Sequence, residues 1–280
     1  MQIIDLLNNG SKVLRNRNIP SHILDSEILL SKILNKTREE LLLNLNKKID
    51  KQKILQFKKL INRRSSNEPV AYILKQKEFW SKNFYINNST LIPRPETEIL
   101  VEKILKVLKK REIFILDIGT GSGCILLSLL NELKESTGIG IDKSAKAIRI
   151  ANKNSILFKM SDRVRFLTRS LKDIYNIKFD LIVSNPPYIM KKELKNLKDD
   201  VKMYEPELAL NGGNDGLDVI KKVIYKSRNI LKIKGMLALE IGNGQYKKVS
   251  TILKDNNFRT KYLVRDNREN IRCIISSLEK

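Results

Sequence analysis

The sequence predicts an α/β protein built on a doubly wound, mostly parallel sheet, with a small all-helical N-terminal domain joined to it by a β-hairpin. Three observations predict it. From residue 113 onward, short apolar segments of strand composition alternate with longer amphipathic ones. Residues 1 to about 70 carry only helical spacing. Between the two lies an aromatic, turn-flanked stretch over residues 78–92 with the makeup of a hairpin. The domains drawn from these shifts are residues 1–75, a hairpin linker at 76–95 and a main domain at 96–280.

Taken in order, Ile3, Leu6, Leu7, Val13 and Leu14 fall near helical spacing, with Gly10 as a weak point in that helix. Ser21 and Asp25 are the two candidate caps of a second helix carrying Ile28, Leu29, Ile33 and Leu34. Thr37-Arg-Glu-Glu40 has the form of a capping box ahead of Leu41, Leu42 and Leu43, and an amphipathic run over residues 54–61 follows Asp50. These short helices read as a bundle, the other reading being a loose extension of the main domain. In the hairpin, Phe79, Trp80, Phe84, Tyr85 and Ile86 are strand formers, Asn87-Asn88 reads as a turn and Ser81-Lys82-Asn83 as a turn too, the one that makes a hairpin. Pro93-Arg-Pro95 stiffens the chain before a helix with Glu96 and Glu98 in its first turn, favourable to the helix dipole. Leu100, Ile104 and Leu108 are its expected buried stripe. Strands follow at residues 113–118, 138–142, 164–168, 180–184 and 236–241, helices at 124–133, 144–157, 215–231 and 245–254, and a final strand pair at 258–264 and 271–276. Such alternation puts ligands outside the carboxyl ends of the strands.

Composition narrows the chemistry. With 41% hydrophobic residues the chain has ample material for a core. Its longest apolar runs, such as residues 113–116, are far too short to span a bilayer, and the N-terminus does not read as a signal peptide, so a cytoplasmic protein with no membrane partner is expected. The only histidine is His22, and Cys124 and Cys273 lie far apart, so neither a histidine-based triad nor a metal site is expected. The net charge of +23, from 54 Lys and Arg against 31 Asp and Glu, reads either as a footprint for nucleic acid or as a solvated lysine-rich surface. The lysines recur along the whole chain rather than in one block, which favours the second reading.

Three features carry chemistry. The first is Asp117-Ile-Gly119-Thr120-Gly121-Ser122-Gly123, directly after a strand and before a helix. Its glycines permit a sharp turn and close approach of a ligand to the backbone. The dinucleotide spacing would need a glycine at Cys124, and the phosphate-loop lysine is missing, so a nucleoside ligand suits the loop better than a pyrophosphate. A nicotinamide-dependent dehydrogenase is disfavoured on the same ground. The second feature is Asp142, which closes the next strand and is placed to accept from both ribose hydroxyls, Ser144 competing as the helix cap.

The third feature is Asn185-Pro186-Pro187-Tyr188, after the apolar strand Leu181-Ile182-Val183. The prolines fix the backbone where the strand leaves the sheet. Asn185 supplies a side-chain carbonyl and Pro186 a backbone carbonyl, and two close acceptors suit a substrate –NH2. Tyr188 offers an aromatic face to a planar group and to a sulfonium methyl. An amide or aromatic amine nitrogen is a poor nucleophile because its lone pair is delocalised. Hydrogen bonds to Asn185 and Pro186 would orient it and favour the positive charge that develops as a methyl is transferred in line. No metal or strong base is needed for that transfer. A non-enzymatic nucleic-acid-binding module would leave the Asn185 loop without purpose.

These motifs resemble those of the release-factor glutamine methyltransferases, over nearly the full length of the chain. Beside the glycine loop and Val183-Ser-Asn-Pro-Pro-Tyr-Ile189, the resemblance rests on Leu91-Ile-Pro-Arg-Pro-Glu-Thr-Glu98, Glu205-Pro-Glu-Leu-Ala-Leu210, Gly212-Gly-Asn-Asp-Gly-Leu-Asp218 and Glu240-Ile-Gly-Asn-Gly-Gln245. It implies the S-adenosylmethionine-dependent methyltransferase type of sheet, and transfer of a methyl from that cofactor to the glutamine amide nitrogen of the Gly-Gly-Gln loop of peptide chain release factors. Asp117, Gly119, Thr120, Gly121, Ser122, Gly123 and Asp142 would form the cofactor site. Asn185 would sit between cofactor and substrate, with Pro186, Pro187 and Tyr188 framing the glutamine amide. The N-terminal helices would help dock the release factor. Nucleic acid stays open as a partner but is not required, and the alternative is an adenine N6 methyltransferase acting on RNA or DNA. One departure stands out: after the third strand the family carries an acidic residue against adenine, where this chain has Thr168-Arg169-Ser170-Leu171. Ser170 or a backbone carbonyl is the expected substitute acceptor.

Overall fold

The structure, a computed structural model, describes residues 1–108 and 112–279. The chain forms two compact units, Met1–Gln76 with Lys198–Tyr204, and Lys77–Leu197 with Glu205–Lys280.

In the first unit, α1 (Ile3–Arg15), α2 (His22–Leu34), α3 (Arg38–Leu42), α4 (Lys51–Ser65) and α5 (Val70–Leu74) surround their own core of Leu6, Leu14, Leu29, Leu30, Leu41 and Phe57. It is a bundle, not a loose extension. A Cβ at Gly10 would stand 2.7 Å from both the Phe57 ring and the Ser26 hydroxyl, so this glycine lets α1 lie close against α2 and α4. Val13, expected in the buried stripe, is exposed; the stripe runs through Gly10 to Leu14. Ser21 is the N-cap residue of α2, and its hydroxyl donates to Asp25 at 2.8 Å. Asp25 is itself buried against Arg64 at 2.7 Å. Thr37 and Glu40 form the reciprocal capping box of α3, and Asp50 caps α4 by accepting from the Lys53 backbone N–H at 2.9 Å. The five-residue α5 is too short to show a period and is not foreseen from the residue pattern.

The second unit opens with the hairpin of β1 (Gln76–Phe79) and β2 (Lys82–Tyr85). Its turn is Trp80-Ser81, at φ 51° and 55°, rather than Ser81-Lys82-Asn83. Two successive positive-φ residues match the twist of the flanking strands, and an aromatic in that place masks the usual turn signal. α6 (Pro95–Val107) starts on a proline and buries Thr97, Leu100, Val101 and Ile104, while Leu108 lies past its end in extended backbone.

The remaining elements are β3 (Phe114–Ile118), α7 (Cys124–Glu132), β4 (Thr137–Asp142), α8 (Ala145–Leu157), β5 (Val164–Thr168), β6 (Phe179–Ser184) and α9 (Asp199–Tyr204), the last belonging to the first unit. They are followed by α10 (Asp218–Ile230), β7 (Leu231–Glu240), α11 (Tyr246–Asp255), β8 (Phe258–Arg265) and β9 (Ile271–Leu278). The seven strands lie in the order β5-β4-β3-β6-β7-β9-β8, parallel except for β9, which pairs antiparallel to β7 and β8. β7 begins at Leu231 rather than 236, with Lys234 at φ 64° and a break in register against β6. That irregularity takes in a lysine-rich stretch that reads as loop. Leu116, Ile182, Leu237 and Leu239 of the sheet are buried against Ile220, Ile224 and Val249 of the helices. Among the described residues no helix is long and apolar enough to cross a membrane.

From β3 the chain winds one way to β4 and β5, then returns to β6 on the other side of β3. Crossovers leave in opposite directions there, so a crevice opens at the carboxyl ends of β3 and β6. The glycine loop follows β3 and the Asn185 loop follows β6. The Ser184 hydroxyl joins the two strand ends by donating to the Ile118 carbonyl at 2.7 Å.

Candidate active site

A cavity occupies this crevice, walled by Gly119, Thr120, Gly121 and Ser122 from the glycine loop, Asp142 to Ser144 beyond β4, Arg169 and Leu171 beyond β5, and Asn185 and Pro187 beyond β6. Thr97 and Arg94 border it from the start of α6. Gly119 and Gly121 sit at φ 73° and 56°; a side chain at Gly119 would project into open space, and one at Gly121 would meet only the Gly119 carbonyl oxygen, at 4.0 Å. Glycine takes that backbone most readily, and the missing side chains leave the loop bare toward the cavity.

Asp117 lies behind the loop, fully buried, where it accepts from the Thr120 hydroxyl at 2.7 Å. Burial pushes its carboxyl up to about 7, the Thr120 hydrogen bond pulling back and the charge of Asp142 adding to the rise. Asp142 accepts from the backbone N–H groups of Gly121 at 3.1 Å and Ser144 at 2.9 Å, one on each oxygen. Burial raises its pKa against those two hydrogen bonds. Ser144, not Asp142, caps α8, accepting from the Ala147 N–H at 3.2 Å. A carboxylate oxygen accepts more than one hydrogen bond, so both oxygens keep room for a diol.

The Asn185 side chain points its amide nitrogen at Thr97, donating to Oγ1 at 3.2 Å. Thr97 passes its own proton to Glu240 Oε2 at 2.7 Å. On the other oxygen, Glu240 accepts from the Tyr188 hydroxyl at 3.3 Å and lies 3.9 Å from the Arg272 guanidinium, which also donates to the Tyr188 oxygen at 3.0 Å. Burial drives the Glu240 pKa up, while the Thr97 hydroxyl and Arg272 oppose it. Tyr188 is thus held through its hydroxyl by Glu240 and Arg272. Neither it nor the buried Pro186 is among the cavity's walls, and Gly123 and Asp117 also stand behind them.

Several residues of this site escaped sequence reasoning. Asn154 of α8 is fully buried, accepts from the Tyr85 N–H and donates to the Tyr85 and Ser122 carbonyls, tying β2 to the glycine loop. Nothing distinguishes it in sequence from Asn152, the other asparagine of that helix. Glu205 accepts from the Ile92 N–H and from Arg94. Gln245 donates to the Tyr188 and Gly216 carbonyls and accepts from the Gly242 N–H. Backbone hydrogen bonds between Ile189 and Leu210, Gly212 and Ile189, and Lys191 and Gly213 fix the chain just after Tyr188. The segments around 205–210, 212–218 and 240–245 therefore share one task, holding the Asn185 loop in place. At the adenine position foreseen beyond β5, Arg169 and Leu171 form the wall. Ser170, the expected acceptor, is not part of it and opens a short turn with Asp173.

Strand order and site together define a methyltransferase of the mostly parallel-sheet class. The hMettl16 catalytic domain, solved in complex with the MAT2A 3′UTR hairpin 6, shares the fold at a TM-score of 0.60 and 16% identity, over 79% of this chain and 82% of that one. A methyltransferase from Pyrococcus furiosus does so at 0.55 and 15%, over 78% and 99%. Residues 5–74 match the PrmC N-terminal domain and residues 95–202 the methyltransferase small domain. The chain is 40% identical to the release factor glutamine methyltransferase of Fusobacterium nucleatum, over 98% of this chain and 78% of the relative. It is 39% identical to that of Clostridium acetobutylicum, over 92% of each. In the bifunctional methyltransferase of Rickettsia prowazekii, 36% identical, it spans 56% of the length. The chain belongs to the release factor glutamine methyltransferase family.

Proposed function

We propose that this protein methylates the side-chain amide nitrogen of the glutamine in the Gly-Gly-Gln motif of peptide chain release factors, with S-adenosylmethionine as donor. The observation that carries the chemistry is the Asn185 amide, whose nitrogen is engaged by Thr97 so that its oxygen is left to the cavity. Family membership carries the choice of acceptor, and a release factor partner implies a cytoplasmic enzyme.

The cavity residues fit the cofactor. The bare backbone at Gly119 and Gly121 admits a ligand closely, and the spare lone pairs of Asp142 suit a ribose diol. Arg169 and Leu171 supply a flat and an apolar surface for a base, which accounts for a site without the family's acidic residue. When bound, S-adenosylmethionine supplies an electrophilic methyl on a sulfonium. Asn185 Oδ1 accepts a proton of the glutamine amide, while Pro186, buried behind the wall, stiffens the loop that carries Asn185. This bond orients the nitrogen toward the donor and stabilises the positive charge growing on it. Tyr188, held by Glu240 and Arg272, and Pro187 keep Asn185 in register. The nitrogen gives up its extra proton to water once it has become strongly acidic. Residues 1–75 dock the release factor.

Adenine also presents an –NH2, and the charge of +23 favours a nucleic-acid substrate over a neutral one. The deciding measurement offers labelled S-adenosylmethionine with purified release factor and, separately, with RNA or DNA. Label is expected in the release factor alone; label confined to nucleic acid rejects the glutamine reading. Asn185→Ala is expected to lower transfer by about a hundredfold or more while cofactor affinity is largely retained. Full turnover by that variant overturns the mechanism.

A further inference from the structure

We propose that Glu240 is a positioning residue which, acting through the Thr97 hydroxyl, sets the Asn185 amide with its oxygen toward the acceptor nitrogen. The inference deepens the function proposed above and rests on it for the identity of the acceptor.

The argument is a count of protons. An asparagine amide can rotate by half a turn about its last bond and exchange oxygen for nitrogen at nearly the same shape, so packing alone does not choose between the two. Only the oxygen can accept from a substrate –NH2; the nitrogen would oppose it donor to donor. Thr97 has a single proton to give and sits between Asn185 and Glu240, 3.2 Å from one and 2.7 Å from the other. Glu240 faces the Arg272 guanidinium at 3.9 Å, which favours its ionised, accepting form against the effect of burial, so the Thr97 hydroxyl donates to Glu240. The Thr97 oxygen is then left to accept, and the Asn185 group facing it has to be the NH2. Thr97 is buried and Glu240 has 1% of its surface exposed, so bulk water does not compete with this ordering.

Both hydrogen-bonded chains end on Glu240. Asn185 and Thr97 feed one oxygen; the Tyr188 hydroxyl, which itself accepts from Arg272, feeds the other. The same carboxylate thereby anchors the first and last residues of the Asn-Pro-Pro-Tyr loop. Arg272, which can only donate, also decides what an uncharged substitute would do. With Gln at 240, the amide oxygen turns to Arg272 and Tyr188 and the NH2 turns to Thr97. Thr97 then receives a proton there and gives its own to Asn185, which reverses the Asn185 amide.

The experiment compares wild type with Thr97→Val, Thr97→Ser, Glu240→Gln and the double variant Thr97→Val/Glu240→Gln. Three readouts are taken: methyl transfer to purified release factor, S-adenosylmethionine affinity by calorimetry, and exchange of the Asn185 side-chain NH2 protons by NMR. Thr97→Val and Glu240→Gln are each expected to lower kcat by about tenfold or more with cofactor affinity within about twofold, because the defect lies in an interaction made to the reacting nitrogen. Thr97→Ser keeps the hydroxyl and is expected to restore kcat. The double variant is expected to be no worse than Thr97→Val, since the two residues act in one chain. Asn185 NH2 exchange should be slow in wild type and Thr97→Ser, and faster in Thr97→Val and Glu240→Gln. Unchanged kcat and unchanged exchange in Thr97→Val overturn the proposal, as does a serine variant that remains impaired. A wild type that does not methylate release factor sinks the glutamine reading, and the NMR comparison still decides the relay.

Discussion

A carboxyl buried under a glycine loop must be protonated or strongly paired, and Asp117 has only the Thr120 hydroxyl on one oxygen and no partner on the other among the described residues. Its pKa of about 7, raised by burial, means that the folded chain holds a proton where the unfolded chain has released it, between about pH 4 and pH 7. The sign follows: the folded state binds more protons, so stability is greatest below the unfolded pKa and is lost as pH rises through the folded one. Asp142 and Glu240, also raised, slope the same way, while the lowered carboxyls of Glu39, Asp215 and Asp266 slope the other. Asp117→Asn keeps an acceptor for Thr120 and removes one titration. Urea unfolding across this range is expected to show a shallower decline in the variant than in wild type. Equal slopes would mean that Asp117 is ionised throughout. Asp142 and Asn185 were legible in the sequence because the first closes a strand and the second opens a proline-stiffened run directly after one. The link from Thr97 to Glu240 was not, although both lie in motifs singled out, because a hydrogen bond across 143 positions leaves no spacing to read.

Among the elements, α8 does more than cover the sheet. Asn154 makes three hydrogen bonds from a fully buried position, two to the β2 backbone at Tyr85 and one to the Ser122 carbonyl. Asn154→Ala leaves those backbone groups unsatisfied in the interior. Stability should fall by about 3 kcal/mol, the scale of one or two buried groups left without partners. Because Ser122 belongs to the cavity wall, cofactor affinity should fall with it, while kcat at saturating cofactor changes little. An intact affinity in a destabilised variant would limit Asn154 to structure alone. Periodicity located the long elements and their order, since α7, α8 and the inner strands carry patterns set by burial. It failed where backbone conformation rather than burial decided the outcome. The turn at Trp80-Ser81 breaks the usual residue preference, and Gly10 looked like a flaw in α1 until Phe57 and Ser26 were seen against it.

For the molecule as a whole, the parallel sheet and its crevice were readable from strand–helix alternation, whereas the reason for three of the family segments was not. Residues 205–210, 212–218 and 240–245 look like separate motifs in the chain and converge on one loop only in the fold. Charge was equally readable and less informative. A chain at +23 attracts any polyanion, and attraction of that kind comes from release of counterions, independent of base sequence. It should therefore weaken steeply with salt, with a linear fall of log K against log salt and a loss of about tenfold or more between about 50 and about 200 mM. Under the proposed mechanism methyl transfer depends instead on an acceptor held in a buried hydrogen-bonded chain, where salt screens little. Two titrations on the same preparation separate these effects. Retention on random duplex DNA should disappear as salt rises, and no methyl should enter that DNA at any salt, while transfer to release factor persists after DNA binding is lost. If methylation of release factor falls in step with DNA binding, the surface charge belongs to the docking of the substrate; if methyl enters DNA at low salt, the acceptor is an adenine nitrogen and not a glutamine.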